Sequence, residues 1–259
     1  MKDLHIDCSY GVSGDMLNGA LLDLGASKEN LLKKLDSLNL KGCHVTIRKE
    51  WNGTDFDVVL DVDNHDHDMR YLYGDKQFEK LEEKRNLAAI KRMLEENKVL
   101  DEEEKHIALD IFDIVATAEA KAHGERKEDV IFHESGAMDS IVDIVSFAVL
   151  LGDLSPRKIF ATNLCEGHGF INTRVGKLPI PTPAVENIIR AKKLILKKVD
   201  LPYELITPTG LACLSAVAEF KELGDEQIKN FEVEKVGYGL GKRNYNTPRT
   251  LKMEIGREV

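Results

Sequence analysis

The stretch Asp3–Gly25, DLHIDCSYGVSGDMLNGALLDLG, decides how the fold is read. "DLHIDC" is short and alternates, as a strand does. "SYGVSGD" places Gly11 and Gly14 in a turn, and "MLNGALLDLG" spaces its apolar residues as a helix does. The opening unit is therefore strand, glycine loop, helix. Downstream, "SKENLLKKLDSLNL" predicts a second helix with Ser27 as its N-cap. "CHVTIRKEW" and "GTDFDVVLDVD" predict two strands joined across Asn52-Gly53, a hairpin dipeptide.

"DNHDHDMRYLYGD" breaks all periodicity. The pattern from Gln77 to about Lys98 is helical and highly charged, and Asp101 to Ala122 predicts a long helix with acids at its start, as the helix dipole prefers. "SGAMDSIVDIVSFAVLLGDL" predicts the most buried helix. "KIFATNLC" reads as a strand. In "LPIPTPAVENIIRA" prolines end a strand and then open a helix. "LILKKVDLPYELITPTG" holds extended pieces, and "TPTGLACLSAVAEF" opens a helix after a Thr-Pro-Thr-Gly turn. The tail reads as two strands around a Gly-rich connection. Interleaved strands and helices predict an α/β (α+β) fold: a mixed sheet flanked by helices, with a small second subdomain and a subdivision at the 63–76 loop.

The chain has 259 residues, 42% hydrophobic and 31% charged, enough to bury a sizeable core. A formal net charge of -9 speaks against a nucleic-acid backbone as partner. It leaves room for cations, or for a locally basic pocket on an acidic body. The four cysteines, Cys8, Cys43, Cys165 and Cys213, form no CxxC pair and predict neither a disulfide framework nor a zinc finger. The N-terminus lacks the apolar core of a signal peptide, and no apolar run is long enough to span a bilayer. The expectation is a cytoplasmic protein with no membrane partner.

Four constellations bear on function. In "FHESGAMDSIVDI", a helix starting near Gly136 puts Asp139 and Asp143 at i, i+4 on one face. Carboxylates that close repel unless a cation or donor sits between them. His133 and Glu134 lie just before that helix, and carboxylates with imidazole suit a divalent metal such as Mg, Mn or Ni. The plainer alternative is a helix whose acids cap it or meet water. In "DCSYGVSGD", Asp7 ends the strand, and Ser13, Gly14 and Asp15 open a helix whose free N–H groups suit an anion. Taken alone, an ordinary tight strand-to-helix turn explains that stretch better. "DNHDHD" offers His65 and His67 among aspartates, a metal-loving tract or a polar loop. Finally, Thr207, Thr209 and Gly210 before a helix, and Lys242 and Arg243 after the flexible turn Gly237–Gly241, are candidate phosphate contacts.

"SGDMLNGALLDLG", "FHESGAMDSIVDI", "LPIPTPA", "ELITPTG" and "VGYGLGKRN", in this order, resemble the LarC family, the nickel-inserting proteins of the nickel-pincer nucleotide pathway whose product serves lactate racemase. The resemblance spans Ser13 to Asn244. It implies a lyase-type nickel chelatase, or cyclometallase, acting on a pyridinium mononucleotide with two thiocarboxylates. Nickel enters between the sulfurs and bonds to the ring carbon, displacing a proton. It implies catalytic roles around His133, Glu134, Asp139 and Asp143. Metal contacts are expected from Asp7, His65, His67, His133 and Asp139, and a homo-oligomer is expected. The family couples the step to CTP with Mg or Mn through a further C-terminal domain. The chain ends at Val259, so CTP use is expected to need a separate C-terminal LarC-like chain. The family's histidine run is here reduced to His65 and His67. Two other functions fit the same residues: a nickel- or nucleotide-binding module without turnover, and a metal-dependent nucleotide phosphohydrolase.

Overall fold

A computed structural model of the chain describes residues 2–60, 86–130, 137–173, 176–222, 224–242 and 249–258. Its strands are β1 (Asp3–Asp7), β2 (Cys43–Glu50), β3 (Gly53–Leu60), β4 (Ile159–Thr162), β5 (Cys165–Glu166), β6 (Phe170–Thr173), β7 (Gly176–Pro179), β8 (Lys197–Lys198), β9 (Glu219–Phe220), β10 (Phe231–Leu240) and β11 (Thr250–Glu258). Its helices are α1 (Gly14–Asp23), α2 (Lys28–Asp36), α3 (Leu87–Glu96), α4 (Glu102–His123), α5 (Ala137–Leu154), α6 (Pro183–Lys192), α7 (Pro208–Val217) and α8 (Glu226–Lys229). The boundary expected at the 63–76 loop falls outside the described residues.

Seven strands form one mixed sheet in the order β2-β3-β10-β11-β1-β4-β9. β1 runs parallel to β4 and antiparallel to β11. Helices flank this sheet, and β5–β8 and β6–β7 make two small sheets beside it, the subdomain expected from the sequence. The alternation in β1 is real: Leu4 and Ile6 enter the core. Its other face is also covered, with Asp3 held by Arg157 at 2.7 Å and His5 between Glu254 and Thr162. Among the described residues no helix is long and apolar enough to cross a membrane.

Capping follows the sequence closely. Ser27 accepts the Asn30 N–H at 3.1 Å, and Asp101 and Glu104 form a capping box at the start of α4. α5 carries a fully buried run from Ile144 to Leu150, apolar except for Ser146.

Three expectations are corrected. The hairpin turn is Trp51–Asn52, because Glu50 pairs with Gly53 inside the ladder. Gly53 is there for space: a Cβ on it would lie 2.7 Å from the Tyr238 carbonyl of β10. "KIFATNLC" is two strands, broken where Asn163 adopts a φ of 54°. Gly237 and Gly239 do not form a flexible turn; they lie within β10. A Cβ at Gly239 would sit 1.7 Å from the Met16 carbonyl, so these glycines let the α1 backbone rest directly on the strand.

Candidate functional site

β1 delivers the chain to a loop, Cys8–Ser13, that is stitched to the segment before α7. The Val12 N–H donates to Leu205 O at 2.9 Å, and the Thr207 N–H donates to Val12 O at 3.0 Å. Gly11, at φ 90°, permits this crossing, since a Cβ would lie 2.1 Å from Leu205 O. The starts of α1 and α7 are thereby set side by side. A Cβ on Gly210 would lie 2.6 Å from Ser13 Cα. The start of α5 joins them: Ser140 and Thr209 hydroxyls stand 3.4 Å apart, and a Cβ on Gly14 would meet Asp143 Oδ2 at 2.3 Å. Three helix N-termini thus converge, and their unpaired N–H groups favour negative charge at that point.

Acids collect there. Asp15 sits in the first turn of α1 and accepts the Ser13 hydroxyl. Asp139 and Asp143 come from the first turns of α5. Burial pushes the Asp139 carboxyl up to about 6; Lys242 draws it down, while Asp57 and Asp15 push it further up. Asp143 is raised well above the usual carboxylate range, first by burial and then by the charge of Asp15. Lys242 follows the end of β10 and donates to Asp57 of β3. Burial works to lower its ammonium pKa, but Asp57, Asp15 and Asp143 outweigh that, and it is raised. This lysine is the counter-charge that lets the acids share one site.

Asn18 completes the group. It is fully buried on α1 and donates to the Asp143 carbonyl at 3.1 Å and carboxylate at 3.3 Å. Among the described residues, Asn18 Oδ1 and Asp139 Oδ1 are buried without a hydrogen-bond partner. Buried polar atoms are normally satisfied, so these two oxygens are the open positions of the site.

The site residues expected from sequence therefore separate. Ser13, Gly14, Asp15, Asp139, Asp143 and Lys242 come together. Thr209 and Gly210 pack against them, and Thr207 serves as the N-cap of α7, accepting the Gly210 N–H at 3.2 Å. Asp7 faces other partners: its carboxylate accepts from the Ser9 N–H at 3.0 Å and from Asn163 at 3.0 Å. Burial tends to raise Asp7, but these donors win and hold it below the ordinary value. His133, Glu134, His65, His67 and Arg243 lie outside the described residues.

Asn18 and Asp57 were not anticipated. The signal for Asn18 was an amide inside the apolar face of "MLNGALL"; Asp57 sits in an ordinary alternating strand and gave none. Cys8, Cys165 and Cys213 are buried free thiols, and burial raises all three, which fits inert cysteines. The donor set is chiefly hard oxygen. Among the described residues no group of three or more His, Cys, Asp or Glu side chains is placed to hold a metal ion. The described residues alone therefore do not fit a resident Mg or Mn.

Fold and site together define a mixed α/β protein with a partly buried acid–lysine group at converging helix starts. The chain belongs to the nickel insertion protein family, whose model matches residues 4–258. It is 39% identical over 263 residues to the pyridinium-3,5-bisthiocarboxylic acid mononucleotide nickel insertion protein of Alkaliphilus metalliredigens, covering 98% of this chain and 60% of the relative. The protein of the same description from Acetivibrio thermocellus is 37% identical over 260 residues, covering 99% of this chain and 60% of the relative. That from Clostridium kluyveri is 34% identical over 264 residues, covering 100% and 63%. The chain thus spans about three fifths of the length of these relatives. No solved structure matches the chain.

Proposed function

We propose that the chain acts in nickel insertion into pyridinium-3,5-bisthiocarboxylic acid mononucleotide, as the whole enzyme or as one part of it. Nickel is the cargo and the nucleotide the acceptor. The observation that carries the reading is the group Asp15, Asp139, Asp143 and Lys242, with an unpartnered buried oxygen on Asp139. Insertion forms a nickel–carbon bond at the pyridinium ring and releases that carbon's proton. A carboxylate oxygen without a competing donor is suited to receive it. Lys242 and the three helix starts are suited to hold the substrate's phosphate near the acids. The thiocarboxylate sulfurs are soft donors that suit nickel better than the oxygens of this site do, so transfer runs from protein to substrate.

The test is nickel-dependent conversion of the dithio-nucleotide by the purified chain, with and without CTP, and with and without a separately supplied C-terminal chain of the family. Conversion in any of these arms that Asp139→Ala does not slow removes the site assignment. A second reading, a binding module without turnover, is favoured by the lack of a three-ligand metal group among the described residues. Calorimetry that finds stoichiometric binding of nickel or nucleotide, with no product in any arm, selects it.

A further inference from the structure

A second place in the fold is built for charge of the opposite sign. Beyond the carboxyl ends of β4 and β9 lies a cavity of about 500 Å³, apart from the acid group. Ligands in open α/β sheets bind outside the carboxyl ends of parallel strands, and β1, β4 and β9 run parallel here. Three separate pieces of chain bring lysines to its wall. Lys192 and Lys193 end α6, Lys197 comes from β8, and Lys221 follows β9. Lysines at a helix end serve the helix dipole. That accounts for the first two but not for Lys197 and Lys221, which sit on other elements.

The charge is not cancelled locally. Lys221 pairs with Glu219 at 3.2 Å, and Glu222 also lines the cavity. Among the described residues Lys192, Lys193 and Lys197 have no carboxylate within ion-pair distance. On a chain of net charge -9, such a concentration is a local exception. The remaining lining is mixed: Thr162 and Asn163 are polar, while the half-buried Phe220 with Leu164, Leu194 and the exposed Ile195 are apolar. A cavity of this size, with lysines from three pieces of chain and one aromatic ring in its lining, suits a ligand with one flat and one anionic end.

We propose that this cavity binds a small organic phosphate of nucleoside-monophosphate size, its phosphate on Lys193 and Lys197 and its ring against Phe220. The assignment stands independently of the reading of the acid group. It is tested on the full chain by calorimetry at low and at physiological salt, with adenosine monophosphate, cytidine monophosphate, inorganic phosphate and adenosine as probes. The nucleotides are expected to bind, and inorganic phosphate to bind more weakly. Adenosine is expected to bind least. The double charge reversal Lys193→Glu/Lys197→Glu should weaken nucleotide binding by about a hundredfold, given that a hydrogen bond to a charged group is worth about tenfold or more. Lys28→Glu, the same charge change on an exposed lysine of α2, should leave it within about twofold. Phe220→Ala should lower nucleotide binding but not phosphate binding. Failure of any nucleotide to bind, equal loss in Lys28→Glu, or adenosine binding as tightly as its monophosphate would each overturn the proposal.

Discussion

Two carboxyl groups, Asp139 and Glu166, are shifted upward by the same cause and do opposite things. Burial drives Asp139 to about 6 and Glu166 to about 7. Glu166 is fully buried, yet its oxygens accept the N–H of Leu205 at 2.7 Å, of Gly167 at 2.8 Å and of Ile206 at 3.3 Å. Its acceptors are occupied, and it ties the segment before α7 to β5. Asp139 keeps a buried oxygen with no donor among the described residues. A raised pKa alone therefore does not separate the two groups; what separates them is whether their acceptor oxygens are occupied.

The contrast can be broken at either end. The largest effect is expected for Asp139→Ala, which should slow nickel insertion by about 10²- to 10⁴-fold, the usual worth of a positioned base. Thermal melting of that variant should stay near wild type. A melting temperature that falls as far as the rate would make Asp139 a structural group. Glu166→Ala is the converse. It leaves three N–H groups without their acceptor and should cost about 3 kcal/mol in urea unfolding. A loss under about 0.5 kcal/mol would show that water takes the place of the carboxylate.

A third measurement separates the two by pH. A folded-state pKa above the unfolded value of 4.5 means that the native state holds the Glu166 proton more tightly. Stability from this group is then full below about pH 4.5 and is lost as pH rises to about 7. Its slope reaches at most about 1.4 kcal/mol per pH unit. Glu166→Gln should remove that slope from the difference curve between wild type and variant. An unchanged slope would place the proton elsewhere. The smallest effect is expected for Asp143→Asn, which fixes the neutral form that burial and the charge of Asp15 already favour, while keeping the shape that Gly14 packs against. Stability at pH 7 should rise by about 1 kcal/mol; a fall of that size would mean Lys242 needs the Asp143 charge.

Much of the fold was legible. Strand, loop and helix from Asp3 to Gly25 appear as β1 and α1, and the caps at Ser27, Asp101 and Thr207 stand where hydrogen-bond chemistry requires them. What misled was glycine. "VGYGLG" looks like a turn because glycine is permissive, but Gly239 lies within β10, under α1, because no side chain fits there. That reason is a contact more than two hundred residues away in sequence, from Met16 to Gly239, and no local window contains it. Likewise the i, i+4 spacing of Asp139 and Asp143 was readable, whereas the partnership of Asp143 with Asn18 was not.

Local chemistry was set residue by residue: alternation, helical period, cap and turn each depend on neighbours a few positions apart. Which charges share a site was decided by packing alone. Three helix starts meet because Gly11 and Gly210 let backbones touch and Gly14 leaves room for the Asp143 side chain, and that meeting turns scattered acids into one group around Lys242. The same packing gave Asp7 Asn163 as a partner, 156 residues away, beside the local donor Ser9.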